Sequence, residues 1–252
     1  MQRIYLENLE KVNFNFVLND KDLYKQLIKV LRYEVWSQVI FFDGEDFVDY
    51  IFEIEKIDKK DIYFKQVWNI RKNNQIDFEL NLFQALPNKI DKIERIIKDW
   101  TQIWITNFLF FKAERSQKLN ISDKKIERFK KIIIEASEQC WRNTIPWLVI
   151  WWNKINFNNI EWTKIFLHTK SPHSVSPKGR EVKQNKSELL KDIKVKKNEN
   201  INLFVWPEGG FSDDEVWKFE REKCERVFLW DNILRTELAW ITTAFYLIQN
   251  NL

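Results

Sequence analysis

The rhythm of apolar and polar positions changes near residue 75. Before it the apolar runs are short and alternating: residues 39–42 lead into Asp43-Gly44, and a second run covers 48–54. Two such runs around an Asp-Gly pair predict a β-hairpin. Residues 20–32 place Leu23, Leu27 and Leu31 four apart on one face, which predicts a short helix. Residues 1–70 therefore read as a small β-rich barrel, and the polar stretch 70–75 as a linker.

Beyond the linker, apolar strands over 78–86 and 105–111 bracket a helix over 89–103 that carries Ile90, Ile93, Ile96, Ile97 and Ile103. Ser122 is placed to cap a further helix bearing Ile126, Phe129, Ile133, Ala136 and Cys140. Strands at 203–205 and 226–229 then alternate with helices at 212–223 and 236–249. This alternation predicts an α/β domain with a mainly parallel sheet over residues 75–252.

The chain has 252 residues, 31% charged and 44% hydrophobic, which fits an ordinary globular protein. No run approaches the roughly 20 apolar residues of a membrane span, and the N-terminus lacks the layout of a signal peptide. A cytoplasmic protein without membrane attachment is expected. Two cysteines exclude a disulfide framework, and with only two histidines no metal site is expected. Cys140 and Cys224 fall on apolar helical faces and read as core residues. His168 and His173 read as incidental to a basic tract: residues 168–200 hold nine Lys or Arg against four Asp or Glu. Such a tract could hold a phosphate backbone or could be a solvated loop.

One feature of the composition is far out of line. The chain has 13 Trp and 4 Gly, where roughly 18 Gly would be usual for this length. The Trp do not form a stacking stripe, as a carbohydrate-binding module would require. They mark the ends of elements. Trp104 and Trp141 follow helices, where Gly commonly ends a helix in the left-handed region. Trp36 lies in a tight turn, and Trp206 and Trp230 directly follow short apolar strands. Trp100 and Trp217 are less telling, since a helix tolerates them. The pattern predicts that most of these positions are glycine in the working protein, their codon being read as Gly rather than Trp.

Three segments carry specific chemistry. In Val205-Trp206-Pro207-Glu208-Gly209-Gly210-Phe211-Ser212 a strand ends in a Pro- and Gly-rich loop, and Ser212 with Glu215 forms a capping box for the next helix. Leu229-Trp230-Asp231-Asn232-Ile233-Leu234-Arg235-Thr236-Glu237 is a second strand, turn and helix start. Glu138-Gln139-Cys140-Trp141-Arg142-Asn143 is the third. With Gly at the suspect Trp positions they become VGPEGGFS, LGDNILRTE and EQCGRN. In that form and order they resemble the RsmE family, methyltransferases that act on N3 of a uridine in 16S ribosomal RNA. Val30-Leu31-Arg32, Phe42-Asp43-Gly44 and Ala113-Glu114-Arg115-Ser116 extend the resemblance over nearly the whole chain. The family's glycines fall on Trp36, Trp104, Trp141, Trp206 and Trp230. The chain departs from the family at Asp99, where a Lys is usual, at Thr101-Gln102-Ile103-Trp104 for Thr-Glu-Leu-Gly, and at Leu238, which replaces a polar residue.

The resemblance implies a PUA-like N-terminal β-barrel, a C-terminal SPOUT domain with a trefoil knot, a homodimer, and S-adenosyl-L-methionine as cofactor. It places the cofactor at Leu167, His168 and Thr169; at Val205, Trp206, Pro207, Glu208, Gly209 and Gly210; and at Leu229, Trp230, Ile233, Leu234, Arg235 and Thr236. The reaction must take a proton from a weakly acidic imide nitrogen and stabilise the resulting anion. Arg142 and Arg235 are the candidate cations, while Glu208 or Glu237 could accept the proton or orient an Arg. Both carboxylates could instead be structural, Glu237 at its helix N-terminus and Glu208 in an ion pair. Arg32, Arg115 and Arg142 are candidate RNA contacts. A catalytically inactive RNA-binding protein of the same fold is the alternative, and genuine Trp206 and Trp230 would favour it by filling the cofactor loops.

Overall fold

A computed structural model describes residues 1–7, 9, 15–45, 47–71, 76–155, 157, 160–168, 188–193, 195–229, 234 and 236–251. The chain divides into two compact units, Met1–Gln75 with Ile134–Ile145, and Ile76–Ile133 with Pro146–Leu252. The segment 134–145 thus clusters with the N-terminal residues, although it follows the linker in sequence.

In the first unit β1 (Gln2–Tyr5), β2 (Asn15–Leu18), β3 (Gln38–Phe42), β4 (Val48–Ile57) and β5 (Ile62–Arg71) form a sheet in the order β1-β3-β4-β5-β2. Strands β3 and β4 pair antiparallel around Asp43-Gly44, as the hairpin pattern predicts, while β1 joins β3 in parallel. Gly44 has a φ of +83°, and a Cβ there would meet Ile145 Cγ1 at 2.5 Å, so no other residue fits. Strand β5 runs on to Arg71, into the stretch read as linker. The sheet is filled by phenylalanine: Phe41, Phe52 and Phe64 are buried and meet Phe16 at centroid distances of 5.0–5.5 Å. The helix expected over 20–32 opens as α1 (Lys21–Tyr24), capped by the Asp20 side chain, and continues as π-helical turns over Lys25–Val30 with Leu27 buried.

The second unit holds a seven-stranded sheet: β6 (Leu80–Ala85), β7 (Asn107–Phe111), β8 (Trp147–Trp151), β9 (Thr163–Leu167), β10 (Glu188–Leu189), β11 (Ile201–Val205) and β12 (Glu225–Phe228). Their order is β10-β12-β9-β11-β6-β7-β8, and every pairing in it is parallel. Strands β6 and β11 are buried along their full length, the expected character of a parallel sheet covered on both faces. The unit's helices are α2 (Ile90–Thr101), α4 (Asp213–Arg221) and α5 (Thr236–Asn251), and α3 (Asp123–Gln139) is divided at Ile134, its last residues counting with the first unit. Strands β8 and β9 have no counterpart among the sequence-predicted elements. A Trp-rich run hides β8 and charged or polar neighbours interrupt β9, so neither shows a clean period. No helix among the described residues is long and apolar enough to cross a membrane.

The backbone bears directly on the tryptophans. Eight non-glycine residues among the described ones have positive φ, and four are Trp: Trp36 (73°), Trp104 (68°), Trp141 (62°) and Trp162 (64°). Trp36 is the third residue of a turn closed by Ser37 N donating to Glu34 O at 3.0 Å, the position that needs positive φ in a type II turn. At Trp104 the Ile105 amide reaches Trp100 O and the Trp104 amide reaches Thr101 O. At Trp141 the Arg142 amide reaches Ser137 O. Both are Schellman-type helix ends, which place glycine at the left-handed residue. Trp100, though unremarkable in sequence, is fully buried in α2 against Trp240 of α5, with ring centroids only 2.7 Å apart. Aromatic pairs pack at about 4.5–7 Å, so the space between the two helices does not accommodate two indoles. Trp206 differs from these: it is buried at 7% exposure and its φ is not positive, so the left-handed argument does not extend to it.

Candidate functional site

Three of the sequence-predicted loops leave neighbouring strands at the same end of the parallel sheet. Strands β12, β9 and β11 are adjacent, and their C-terminal ends deliver Phe228-Leu229, Leu167-His168 and Val205–Gly210 respectively. Ligands of open parallel sheets bind at this end. Leu167 and Val205 are fully buried strand residues, while Pro207 to Gly210 forms a turn closed by Gly210 N donating to Pro207 O at 2.8 Å. Gly210 has a φ of +71°. Thr169, Trp230, Ile233 and Arg235 lie outside the described residues. Thr236 opens α5, Leu234 is half-buried, and the side chains of Thr236 and Glu237 are likewise outside the description.

The loop after β11 is tied down on several sides. Arg115 Nη1 donates to Gly209 O at 2.8 Å, and a Cβ on Gly209 would meet the Arg115 Cβ at 3.2 Å. Ser212 and Glu215 form the capping box foreseen in sequence, with Glu215 N donating to Ser212 Oγ at 3.1 Å and Ser212 N to Glu215 Oε2 at 2.9 Å. The other Glu215 oxygen accepts from Glu114 N at 2.8 Å, joining this helix start to the Ala113–Ser116 segment. Glu208 accepts from Lys92 Nζ at 2.6 Å and from the Asn88 amide. Burial opposes the ionised form of Glu208, but the hydrogen bonds from Lys92 and Asn88 prevail and hold its pKa below the ordinary carboxylate value.

Sequence reasoning missed Gln84. It is buried in β6, where it pairs with Val205 of β11, and its Nε2 donates to Ala85 O at 2.8 Å and to Trp206 O at 3.3 Å. Its Oε1 is buried without a partner, as is Asn88 Oδ1 near the same loop. The signal was two polar residues, Asn81 and Gln84, inside an otherwise apolar strand run. His168 caps β9 through its amide, which donates to Val227 O at 2.8 Å, and its Nδ1 lies 3.1 Å from Arg226 Nη2.

In the first unit, Arg142 follows the helix end at Trp141. Its side chain is only 2% exposed, with Nε donating to Thr144 Oγ1 at 2.9 Å. Burial lowers its pKa to about 10, which still leaves the guanidinium charged at neutral pH. Arg32 is exposed on the same unit, with a φ of 56°. Cys224 is buried, which pushes its thiol up to about 12, and Cys140 is half-buried. Among the described residues no group of three His, Cys, Asp or Glu could hold a metal ion.

A family model described as an RNA methyltransferase domain matches residues 74–248. The ribosomal RNA small subunit methyltransferase E of Buchnera aphidicola is 29% identical over 245 residues, covering 94% of this chain and 88% of the relative. The Bacillus subtilis protein of the same name is 25% identical over 248 residues, covering 95% and 93%. Among solved structures, a methyltransferase from Legionella pneumophila in complex with SAM superposes with a TM-score of 0.77 at 24% identity, covering 99% of this chain and 96% of that one. The ribosomal RNA small subunit methyltransferase E from Neisseria gonorrhoeae, bound to S-adenosyl methionine, gives 0.76 at 21% identity, covering 99% and 96%.

Proposed function

The chain belongs to the RNA methyltransferase family, and we propose that it methylates N3 of a uridine in 16S ribosomal RNA with S-adenosyl-L-methionine as donor. The observation that carries this reading is the adjacency of strands β12, β9 and β11 in the parallel sheet, whose C-terminal ends lead into the three sequence-predicted loops. The relatives of matching length bear the name of a small-subunit ribosomal RNA methyltransferase, and two structures of matching fold hold the donor.

The residues present suit that donor. Gly209 and Gly210 keep their part of the turn after β11 free of side chains, and the buried, unpartnered Gln84 Oε1 belongs to the residue whose Nε2 reaches Trp206 O at the start of that loop. Leu167, His168, Val205, Trp206, Pro207, Glu208, Gly209, Gly210, Leu229 and Leu234 would hold it, with Thr169, Trp230, Ile233, Arg235 and Thr236 completing the site. The donor supplies a methyl group on a sulfonium, open to attack by a nucleophile.

The protein's own task is to align the uracil and stabilise charge on it as N3 loses its proton. We assign Arg235 to that charge; Arg142, 2% exposed in the described chain, shares it only where RNA binding uncovers its guanidinium. Glu208 is engaged by Lys92 and held low, which makes it a weak base, so its role is to shape the loop. We assign acceptance of the proton to Glu237. Arg32, Arg115 and the basic tract over 168–200 would track RNA phosphates. A PUA-like barrel, a knotted second domain (75–252), a cytoplasmic location and a homodimer complete the reading. For the dimer, α5 leaves Leu238 and Phe245 more than half exposed, a face that a second copy would cover.

We further propose that the working protein carries glycine at most of its Trp positions. Four left-handed Trp and the crowded Trp100–Trp240 pair support this. A peptide mass of the native protein spanning positions 206 and 217 is expected to carry glycine at one or both; tryptophan at both would end the idea.

The deciding assay is labelled methyl transfer from S-adenosylmethionine to unmodified small ribosomal subunits, followed by nucleoside analysis. The chain with Trp is run beside one with Gly at all 13 positions. N3-methyluridine from the Gly chain alone supports both proposals, and activity from both chains would overturn the steric case. RNA binding without turnover in either folded chain would favour the inactive RNA-binder.

A further inference from the structure

The loop after β11 is tied to its surroundings by Gln84 at its first carbonyl and by Lys92 and Asn88 at Glu208, and the Ser212–Glu215 box fixes its end. The tie at Gly209 is of another kind. Arg115 Nη1 donates to Gly209 O at 2.8 Å, yet Arg115 is exposed, and among the described residues this is the one bond its guanidinium makes.

The contact runs along the arginine stem as well as its tip. A Cβ on Gly209 would lie 3.2 Å from Arg115 Cβ and 3.5 Å from its Cδ, and one on Gly210 would lie 3.8 Å from Nη1. The arginine therefore rests directly on loop backbone, which only residues without a side chain allow. The segment that carries it is fixed in turn. Glu114 N donates to Glu215 Oε1 at 2.8 Å, and the Ala113 and Ser116 amides donate to Ser116 Oγ at 3.2 Å and Ala113 O at 3.1 Å. The adjacent carboxylates are engaged elsewhere, Glu114 by Lys154 Nζ at 2.9 Å and Glu208 by Lys92. A guanidinium has more than one donor edge. With Nη1 on the Gly209 carbonyl, the Nε–Nη2 edge keeps the geometry that grips a phosphate through two parallel bonds. A lysine ammonium is a point charge and does not fix two acceptors in one plane.

We propose that Arg115 is a positioning residue that couples RNA to the methyl donor: a phosphate held on its Nε–Nη2 edge fixes Nη1 on Gly209 and with it the backbone of the donor loop. RNA then tightens binding of the donor, and by linkage the donor tightens binding of RNA by the same factor. This rests on the reading of the site as one that holds S-adenosyl-L-methionine and acts on ribosomal RNA. It adds to that reading an order of events, in which the donor is held firmly only once RNA is in place.

The test measures the coupling factor itself. S-adenosylhomocysteine, which has no methyl group to transfer, is titrated into the full chain with and without unmodified small ribosomal subunits, supplied well above their own Kd for each chain. The reverse titration, subunits with and without S-adenosylhomocysteine, checks reciprocity. Arg115→Lys and Arg115→Gln are run beside the unaltered chain, with urea midpoints to confirm that these exposed substitutions leave the fold intact. The expected result is binding of S-adenosylhomocysteine at least about fivefold tighter in the presence of subunits, the same factor in the reverse titration, and a factor of about one in both variants. An arginine with a merely structural role would change the affinities and leave the factor as it was. A factor of about one in the unaltered chain, or an undiminished factor in Arg115→Lys, would overturn the proposal while leaving the donor site in place. Failure of the unaltered chain to bind S-adenosylhomocysteine under either condition would instead remove the functional reading, and this proposal with it.

Discussion

The two sheets solve the same folding problem in opposite ways. The N-terminal sheet is mostly antiparallel and closes on a nucleus of Phe16, Phe41, Phe52 and Phe64 packed edge to face. Its stability lies in side chains, and β3 is buried from Val39 to Phe42. The C-terminal sheet is parallel, with β6 and β11 buried on both faces. The interiors of those two strands are buried throughout, with Asn81 and Asn202 bonded side chain to side chain between β6 and β11, and the sheet's turn chemistry lies in the loops at the strand ends. Glycine matters little in the first arrangement away from its turns, and a great deal in the second. The helix end at Trp104 and the close approach at Trp100–Trp240 show what happens when a bulky residue occupies such places.

The comparison can be broken most sharply at the phenylalanine nucleus. Phe64→Ala should cost about 3–5 kcal/mol by leaving a cavity, read as loss of the first transition in urea while S-adenosylmethionine binding persists. Loss of both together would show that the two units do not stand independently. Next in size, Trp104→Gly and Trp141→Gly should each stabilise by on the order of 1 kcal/mol, because a Cβ is penalised in the left-handed region. Trp68→Gly, in the middle of strand β5, should instead destabilise by roughly 0.5–1 kcal/mol. Equal effects at these sites would mean that conformation is not what separates them. Ser212→Ala should then lose about 1 kcal/mol with the capping box, measured as a lower urea midpoint.

The smallest effect concerns pH. Because the Glu208 pKa is lowered from 4.5 in the folded chain, its ion pair stabilises above that value and the contribution disappears as pH falls through the lowered one. Glu208 and Lys92 are both about a third exposed, so screening keeps the effect modest. Lys92→Met should flatten the acid limb of stability as pH falls below 4.5 only slightly, by roughly the worth of one surface pair. An unchanged acid limb would remove Lys92 as the cause.

Local patterns carried a good deal of this molecule. Leu23, Leu27 and Leu31, the Asp43-Gly44 hairpin, the Ser212–Glu215 box and the alternation of strands and helices over 78–139 and 201–249 are set by nearest neighbours along the chain, so periodicity and turn chemistry expose them, whereas β8, β9 and β10 escaped them. Even the tryptophan anomaly was legible, since a helix end or tight turn demands left-handed backbone whatever surrounds it. Tertiary structure alone decided the rest. Only folding places Gln84 under the Trp206 carbonyl, binds Glu208 to Lys92, and gathers residues 134–145 with the N-terminal unit through Arg3. Those bonds join residues about 116 to 139 positions apart. A hydrogen bond leaves no trace in the local sequence of either partner when the partner is that distant, because the sequence specifies the donor and the fold alone supplies the acceptor.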